Sequence, residues 1–245
     1  PAGLLLLSVL HAVVPLLLEP LIASFCQAYP EVEVEIAANE KLIDLAAEGY
    51  DAGIRLGQFV AADMVAVPLT PPFRFVVVGS PAYFAGRSQP EHTDDLRQHA
   101  CLRWRKSSGA LASWTFNDKG QAVEIAVSGP LIASDFPTVL GAAMEGMGLA
   151  QLPEPMVAEG LKVGKLVHVL EAYAPMMPGV FLYYPSRRQI MPKLRAFIDH
   201  VKRRQAGDAK RAIARTEIST PANPASPMRH RRRILRPSSP AADTR

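Results

Sequence analysis

The sequence predicts an α/β protein organised around a parallel sheet, and three observations lead there. Apolar runs alternate with helical periodicity in β-α-β-α-β order over residues 4–56, an arrangement that implies parallel strands with right-handed crossovers. A second series of short strands and helices follows over residues 75–184. Hydrophobic residues make up 49% of the 245, enough for the core of one large domain or two modest ones.

The first strand is read at residues 4–9, Leu4-Leu5-Leu6-Leu7-Ser8-Val9. A continuous apolar run of that length suits a strand buried on both faces. From about Val14, the residues Leu17, Leu18, Leu21, Ile22, Phe25 and Cys26 follow i, i+3, i+4 spacing, which is one face of a helix. The helix should stop at Tyr29-Pro30, because a proline steers the preceding residue out of the helical region. Val32, Val34 and Ile36 then alternate with Glu31, Glu33 and Glu35, the period of a strand. Leu42, Ile43, Leu45 and Ala46 predict a second helix closed by Gly49, since glycine readily takes the left-handed conformation that ends a helix. Residues 52–56 predict a short third strand.

Residues 75–79, Phe-Val-Val-Val-Gly, read as a strongly apolar strand. Pro81 suits the first turn of a short helix over 82–85. Residues 86–99 are polar and loop-like, with a short helix near 94–99, where Asp94 and Asp95 read as capping acids. Strands are expected at 101–104, 112–117 and 122–127, the last two joined by a turn at Lys119-Gly120. A helix over 137–145 ends at Gly146. Further elements are a strand at 149–152, a short helix at 155–159, strands at 167–170 and 180–184, and a final helix over 191–204. No internal repeat is present.

From about Gln205 the apolar periodicity disappears, and Ala, Arg, Ser, Pro and Thr dominate. Such a segment buries too little surface to offset its ordering entropy, so residues 203–245 are expected to be a basic disordered tail. Charge follows the same boundary. Residues 202–245 hold 12 Lys/Arg against 3 acids, a net +9, which leaves 15 basic and 20 acidic groups in residues 1–201, a net −5. A protein that grips phosphates needs clustered cations, and the body does not supply them. The run Arg229-His230-Arg231-Arg232-Arg233 can touch DNA or RNA non-specifically, but a solvated tail is the expected role.

Two cysteines, Cys26 and Cys101, make neither a disulfide framework nor a metal site, and both are expected buried and reduced. Residues 2–18 are uncharged and resemble a signal peptide or membrane span. A secretory signal needs a basic start, whereas the first cation is Lys41. A spanning helix needs about 20 apolar residues, and this run holds His11 and is interrupted by Pro15. A globular strand and helix are therefore expected here, with no membrane partner.

No G-x-S-x-G elbow, H-E-x-x-H, phosphate loop or C-x-x-C occurs. Gly141, Gly146 and Gly148 lack dinucleotide-loop spacing, and His11, His92, His99, His168, His200 and His230 lack ligand spacing. No enzyme, metal or cofactor is expected. What remains is the pattern of a binder. In open parallel sheets, ligands lie beyond the carboxyl ends of the strands. Those positions are Ser8, Val9 and His11 after the first strand, Asn39 after the second, and Arg55 to Gly57 after the third. They offer a hydroxyl, an amide, a guanidinium and backbone N–H groups, which suit a small polar or anionic metabolite. Ser8 and Asn39 serve equally well as helix caps, and Arg55 is more readily an ion-pair partner of Asp51 or Asp63.

Several segments in order resemble the effector-binding domain of LysR-type transcriptional regulators. Pro1-Ala2-Gly3-Leu4 resembles that domain's start. Phe25-Cys26-Gln27-Ala28-Tyr29-Pro30-Glu31-Val32 resembles F-x-x-x-Y-P-x-V, and the stretch from Glu48 to Gly57 resembles E-G-x-D-x-x-I-R-x-G. Ser80-Pro81-Ala82-Tyr83-Phe84 resembles S-P-A-Y-L, followed by Asp95-Leu96, His99, Cys101 and Leu102. Gly146-Met147-Gly148-Leu149-Ala150-Gln151-Leu152-Pro153 resembles G-x-G-I-A-x-L-P. Tyr183-Tyr184-Pro185-Ser186-Arg187-Arg188 and then residues 194–199 resemble the C-terminal end. Each motif alone is weak; their order over residues 1–202 is not.

The resemblance implies a type 2 periplasmic-binding-protein-like fold, with two α/β lobes joined by two crossover strands. Lobe one would be residues 1–76 plus 168–202, and lobe two residues 77–167. The effector would sit between them, with Ser107, Ser108, Ala133, Ser134 and Asp135 added from lobe two. It further implies a cytoplasmic homo-oligomer, dimer or tetramer, that reaches DNA only through a winged helix-turn-helix, a segment these 245 residues do not include. This chain by itself is then expected not to read a DNA sequence. The basic tail is unlike the family. Two alternatives remain at this point: a solute-binding protein of the same fold serving transport, and an enzyme.

Overall fold

The apolar run at the N-terminus forms β1 (Gly3–Val9), which pairs in parallel with β2 (Val32–Ala38) on one side and β3 (Ala52–Leu56) on the other. The structure is a computed structural model, and it describes residues 1–38, 43–57, 63–106, 108–186 and 190–218, without the side chains of residues 12, 15–20 and 208–218. The chain divides into two units, Pro1–Gln205 and Ala206–Arg245.

Between β1 and β2 runs α1 (Val14–Ala28), entered through a 3-10 turn at His11–Val13. The second crossover differs from expectation. Among its described residues there is one helical turn, in which Asp44 Oδ1 accepts from the amides of Ala46 and Ala47, and Gly49 at φ 80° closes it. Leu42 lies outside the described residues. Two strands complete the first sheet. These are β4 (Met64–Pro68), which the sequence reading missed, and the late strand β13 (Val180–Pro185), antiparallel to both β3 and β4. The order is β2-β1-β3-β13-β4.

One face of this sheet carries Leu5, Leu7, Val9, Ile54 and Leu182, packed on Phe25 of α1 and Phe197 of the C-terminal helix α5 (Pro192–Ile218). The rings of Phe25 and Phe197 meet edge to face at 5.0 Å. Burying each such side chain is worth about 1.5–3 kcal/mol. Asp51, just before β3, accepts from the Leu6 amide at 2.9 Å and pairs with Lys193 of α5 at 2.7 Å. Lys193 therefore takes the carboxylate that the sequence offered as a partner for Arg55.

The second sheet is built on β5 (Phe73–Gly79), β6 (Cys101–Trp104), β9 (Ile132–Ala133), β10 (Leu149–Pro153) and β11 (Val167–Val169), in the order β11-β5-β10-β6-β9. Alternation along β5 serves two cores. Val76 and Val78 face α3 (Phe136–Met144) and α4 (Glu154–Lys162), while Val77 joins Tyr83, Leu96, Trp114 and Phe116 on the other side. Tyr83 belongs to the short helix α2 (Pro81–Phe84), capped by Ser80, whose hydroxyl accepts from the Tyr83 amide. Asp95 closes the next turn by accepting from the amides of Glu91 and His92, as its reading as a capping acid anticipates. Trp114 and Phe116 lie on the hairpin β7 (Trp114–Asp118) and β8 (Gln121–Ile125), which turns through Lys119 and Gly120, both at positive φ as two-residue hairpins require.

The chain passes between the two sheets twice. Phe73 packs in the first core while Val76 and Val78 pack in the second, so β5 makes the outward passage. The return runs from β11 through β12 (Met176–Met177), paired antiparallel with the start of β5, to β13. Leu170, at the start of the return, is a buried non-glycine residue at φ 56°.

The C-terminal helix corrects one expectation. Helical structure was expected to end at Arg204, yet α5 extends to Ile218. The added residues are rich in Ala, Arg, Lys, Gln and Glu, all good intrinsic helix formers. A reading based on apolar periodicity misses a helix that propensity favours.

Candidate functional site

Ser8 sits near the carboxyl end of β1 and is fully buried. The Arg55 guanidinium reaches across from β3. Its Nη2 donates to Ser8 Oγ at 3.1 Å, and its Nη1 donates to the main-chain oxygens of Ser8 at 3.0 Å and Ile54 at 2.8 Å. A buried charge is tolerated when hydrogen-bonded in this way. The clasp fastens the ends of β1 and β3 to each other, so Arg55 does structural work.

The same face of the sheet explains Gly53. In register, Ser8 opposes Gly53, and Gly53 opposes Tyr183 of β13. The Tyr183 ring lies across Gly53, where a Cβ would stand 2.3 Å from Cζ. The Tyr183 hydroxyl is buried with no hydrogen-bond partner among the described residues. Burial pushes its pKa up, and the Arg55 charge pulls it partly back. Sequence reasoning did not single out Tyr183. The available signal was Gly53 itself, since a glycine inside a strand marks a close approach.

The other expected residues divide by position. Val9 is fully buried and faces the α1 core, so its side chain is not presented to a ligand. His11 is exposed in the turn that opens α1. That helix has no acid in its first turn and no side-chain cap, which leaves its positive end uncompensated by its own sequence. Gly57 follows β3, donates its amide to Gly179 O at 3.0 Å, and lies under Phe181, whose ring would be 2.6 Å from a Cβ. Asn39 and Ser107 lie outside the described residues.

In the second sheet, β6 and β9 run parallel, with Trp104 opposite Ala133. Ser134, next in the chain, is exposed, and its carbonyl accepts from Trp104 Nε1 at 3.2 Å. Asp135 caps α3. Its carboxylate accepts from the Thr138 amide at 2.8 Å and from the Thr138 hydroxyl at 3.0 Å. Arg105 and Lys106 are exposed just beyond β6, with Arg105 donating to Gly109 O. The structure thus gathers Ser8, Arg55 and Gly57 with His11 at one set of strand ends, and Ser134 and Asp135 with two cations at another.

Titratable groups elsewhere serve the fold. Burial pushes the Cys101 thiol up to about 12. Burial likewise lowers His99, His168 and His200. Both cysteines are free, Cys101 buried and Cys26 only partly so. Among the described residues no group of His, Cys, Asp or Glu could hold a metal, and no helix is long and apolar enough to cross a membrane.

Three comparisons place this architecture. A Pseudomonas aeruginosa protein with a transcriptional-regulator name is 40% identical over 187 residues, covering 76% of this chain and 61% of its own. The uncharacterized HTH-type transcriptional regulator YcaN of Escherichia coli is 35% identical over 211 residues, covering 86% of this chain and 69% of its own. The chain thus spans 61% and 69% of the lengths of these two relatives. The regulatory domain of CrgA, a LysR-type transcriptional regulator from Neisseria meningitidis, superimposes with a TM-score of 0.70 at 28% identity, covering 82% of this chain and 98% of that one. The family profile described as the LysR substrate binding domain matches residues 1–206, and the chain belongs to that family.

Proposed function

We propose that this domain senses a small polar or anionic metabolite held between its two lobes, and so sets the activity of a transcriptional regulator. The supporting observation is the pair of strand-end clusters. His11 and the start of α1 stand beyond β1 and β3, and Ser134, Arg105 and Lys106 stand beyond β6 and β9. Ligands of open α/β sheets lie beyond such carboxyl ends. A helix start without acids and two exposed cations favour negative charge on the ligand. The ligand would act by binding one arrangement of the lobes, residues 1–76 plus 168–202 against 77–167, better than another.

On this reading the regulator works in the cytoplasm as a homo-oligomer and performs no catalysis. DNA is read by the helix-turn-helix that the relatives' names record, not by this domain. Transport is disfavoured, because these relatives are named for transcription.

A thermal-shift screen of the full chain tests the reading with acetate, succinate, malate and benzoate against neutral apolar compounds. Stabilisation by at least one carboxylate is expected. Silence from every carboxylate, or a response to apolar compounds alone, would overturn it.

A further inference from the structure

Trp104 is the last residue of β6, and it is only half-buried although it packs against the second core. Its ring meets that of Phe136 in α3 at 4.9 Å between centroids, tilted by 48°. Its single side-chain donor, Nε1, already donates to Ser134 O at 3.2 Å. An indole has no other hydrogen-bonding atom. The open part of Trp104 therefore offers a neighbour apolar and π contact alone. Beyond it the chain stays extended. Arg105 bridges to Leu111, and the Arg105 and Lys106 amides donate to Ala133 O at 2.7 Å and Ala110 O at 2.9 Å. Side chains two apart in an extended chain share a face, which puts Lys106 on the side of Trp104. Lys106 is exposed and pairs with no carboxylate among the described residues. The first sheet has a ring of its own at its strand ends. Phe181 is half-buried, opposes Arg55 in register and lies over Gly57.

We infer that the effector is an aromatic carboxylate, with its ring against Trp104 and its anion on Lys106. This rests on the reading of the strand ends as an effector site, and it names the ligand's chemical class. Small-molecule sites are lined mainly by aromatic and apolar side chains, with a few polar groups that fix orientation. Trp104 and Phe181 supply the first kind of group and Lys106 the second. A short aliphatic carboxylate would reach the ammonium but leave the indole facing water. A planar ring covers the indole, and offset or edge-on aromatic pairs gain more than their buried area alone gives. Trp104 is on this account a specificity-determining residue, and Lys106 serves any carboxylate alike.

The test compares benzoate, cyclohexanecarboxylate and acetate on the full chain, by calorimetric affinity and tryptophan emission. Benzoate and cyclohexanecarboxylate match in charge and nearly in size and differ in planarity. Of the two tryptophans, Trp114 is 4% exposed within a core, so a change in emission on binding reports Trp104. Benzoate should bind about 3- to 10-fold more tightly than cyclohexanecarboxylate, the worth of one aromatic pair, and more tightly still than acetate. W104L should bring the two ring acids level, and W104F should keep most of the preference. K106A should weaken both by a similar factor, with an unchanged melting temperature. Equal affinity of benzoate and cyclohexanecarboxylate in wild type overturns the inference, whether or not W104L folds. So does a preference that survives in W104L, or benzoate binding that leaves the emission unchanged. Acetate binding as tightly as benzoate sinks the aromatic assignment and leaves the anionic-effector reading standing, whereas silence from every carboxylate sinks both.

Discussion

Arg55 clasps Ser8 twice, at the hydroxyl and at the main-chain oxygen, across the seam between β3 and β1. The two strand ends that border the proposed effector site are therefore held together by one buried guanidinium. Hydrogen bonds to charged groups are worth about 1.5–3 kcal/mol. Ser8→Ala should cost an amount in that range, and Arg55→Met more, because it strips the donor from three buried oxygens, Ser8 Oγ, Ser8 O and Ile54 O. Urea unfolding midpoints would show this; an unshifted midpoint in both variants would mean the clasp carries no stability.

Gly53 and Tyr183 form a second coupled pair. A methyl group on Gly53 would stand 2.3 Å from the Tyr183 ring, so Gly53→Ala should destabilise by about 1–3 kcal/mol through overpacking. Tyr183→Phe removes a buried hydroxyl that has no partner among the described residues. An unsatisfied buried polar group costs about 1–3 kcal/mol, so this variant should melt at or above the wild-type temperature. Gly53→Ala combined with Tyr183→Leu should recover part of the loss. A marked drop in melting temperature for Tyr183→Phe would show that the hydroxyl has an unseen partner.

Stability should fall on the acid side of neutrality. His200 Nε2 lies 2.9 Å from Ser24 Oγ, which also accepts from Arg204. Burial, then the Arg203 and Arg204 charges, lower its pKa below the usual 6.5, and burial lowers His99 and His168 as well. A base whose pKa drops on folding binds protons more readily when unfolded. Its contribution is present above 6.5 and is lost as pH falls through the folded value. Melting temperature should decline between about pH 7.5 and 5.5, and His200→Gln should flatten that decline. An identical slope in the variant would remove His200 from the account.

The two thiols should react unequally. Cys101 is fully buried with its pKa pushed up to about 12, whereas Cys26 is partly exposed. Thiol reagents attack the thiolate. At mildly alkaline pH the native chain should consume one equivalent of Ellman's reagent quickly and the second only on unfolding. Two fast equivalents would mean that the second core opens readily.

Local pattern carried much of this architecture. The unbroken run at β1, the Val/Glu alternation at β2 and the glycine turn at Lys119-Gly120 are visible in a few neighbouring residues, as is the acid that caps the turn before β6; Asp135, offered only as a site residue, caps α3. The misses are of two kinds. The tail of α5 is a case where propensity and apolar spacing disagree, and apolar spacing was followed; after Asp44 both favour a helix, yet the described residues form a turn closed by Gly49. Partners of buried polar groups are non-local. Nothing near Asp51 in the sequence announces Lys193, 142 residues away, and nothing near Gly53 announces the ring of Tyr183. At the candidate site, the strand-end logic located Ser8, His11 and Arg55, but it could not distinguish the exposed His11 from the core-facing Val9 or the clasped Arg55. That difference depends on which sheet face meets α1 and α5.

The most direct measurement is amide chemical-shift mapping of the full chain with the carboxylate that stabilises it most. If the metabolite lies between the lobes, perturbed amides cluster at residues 8–14, 55–57 and 134–138. Perturbations confined to the β7–β8 hairpin, or absent at saturating ligand, would contradict the placement of the effector.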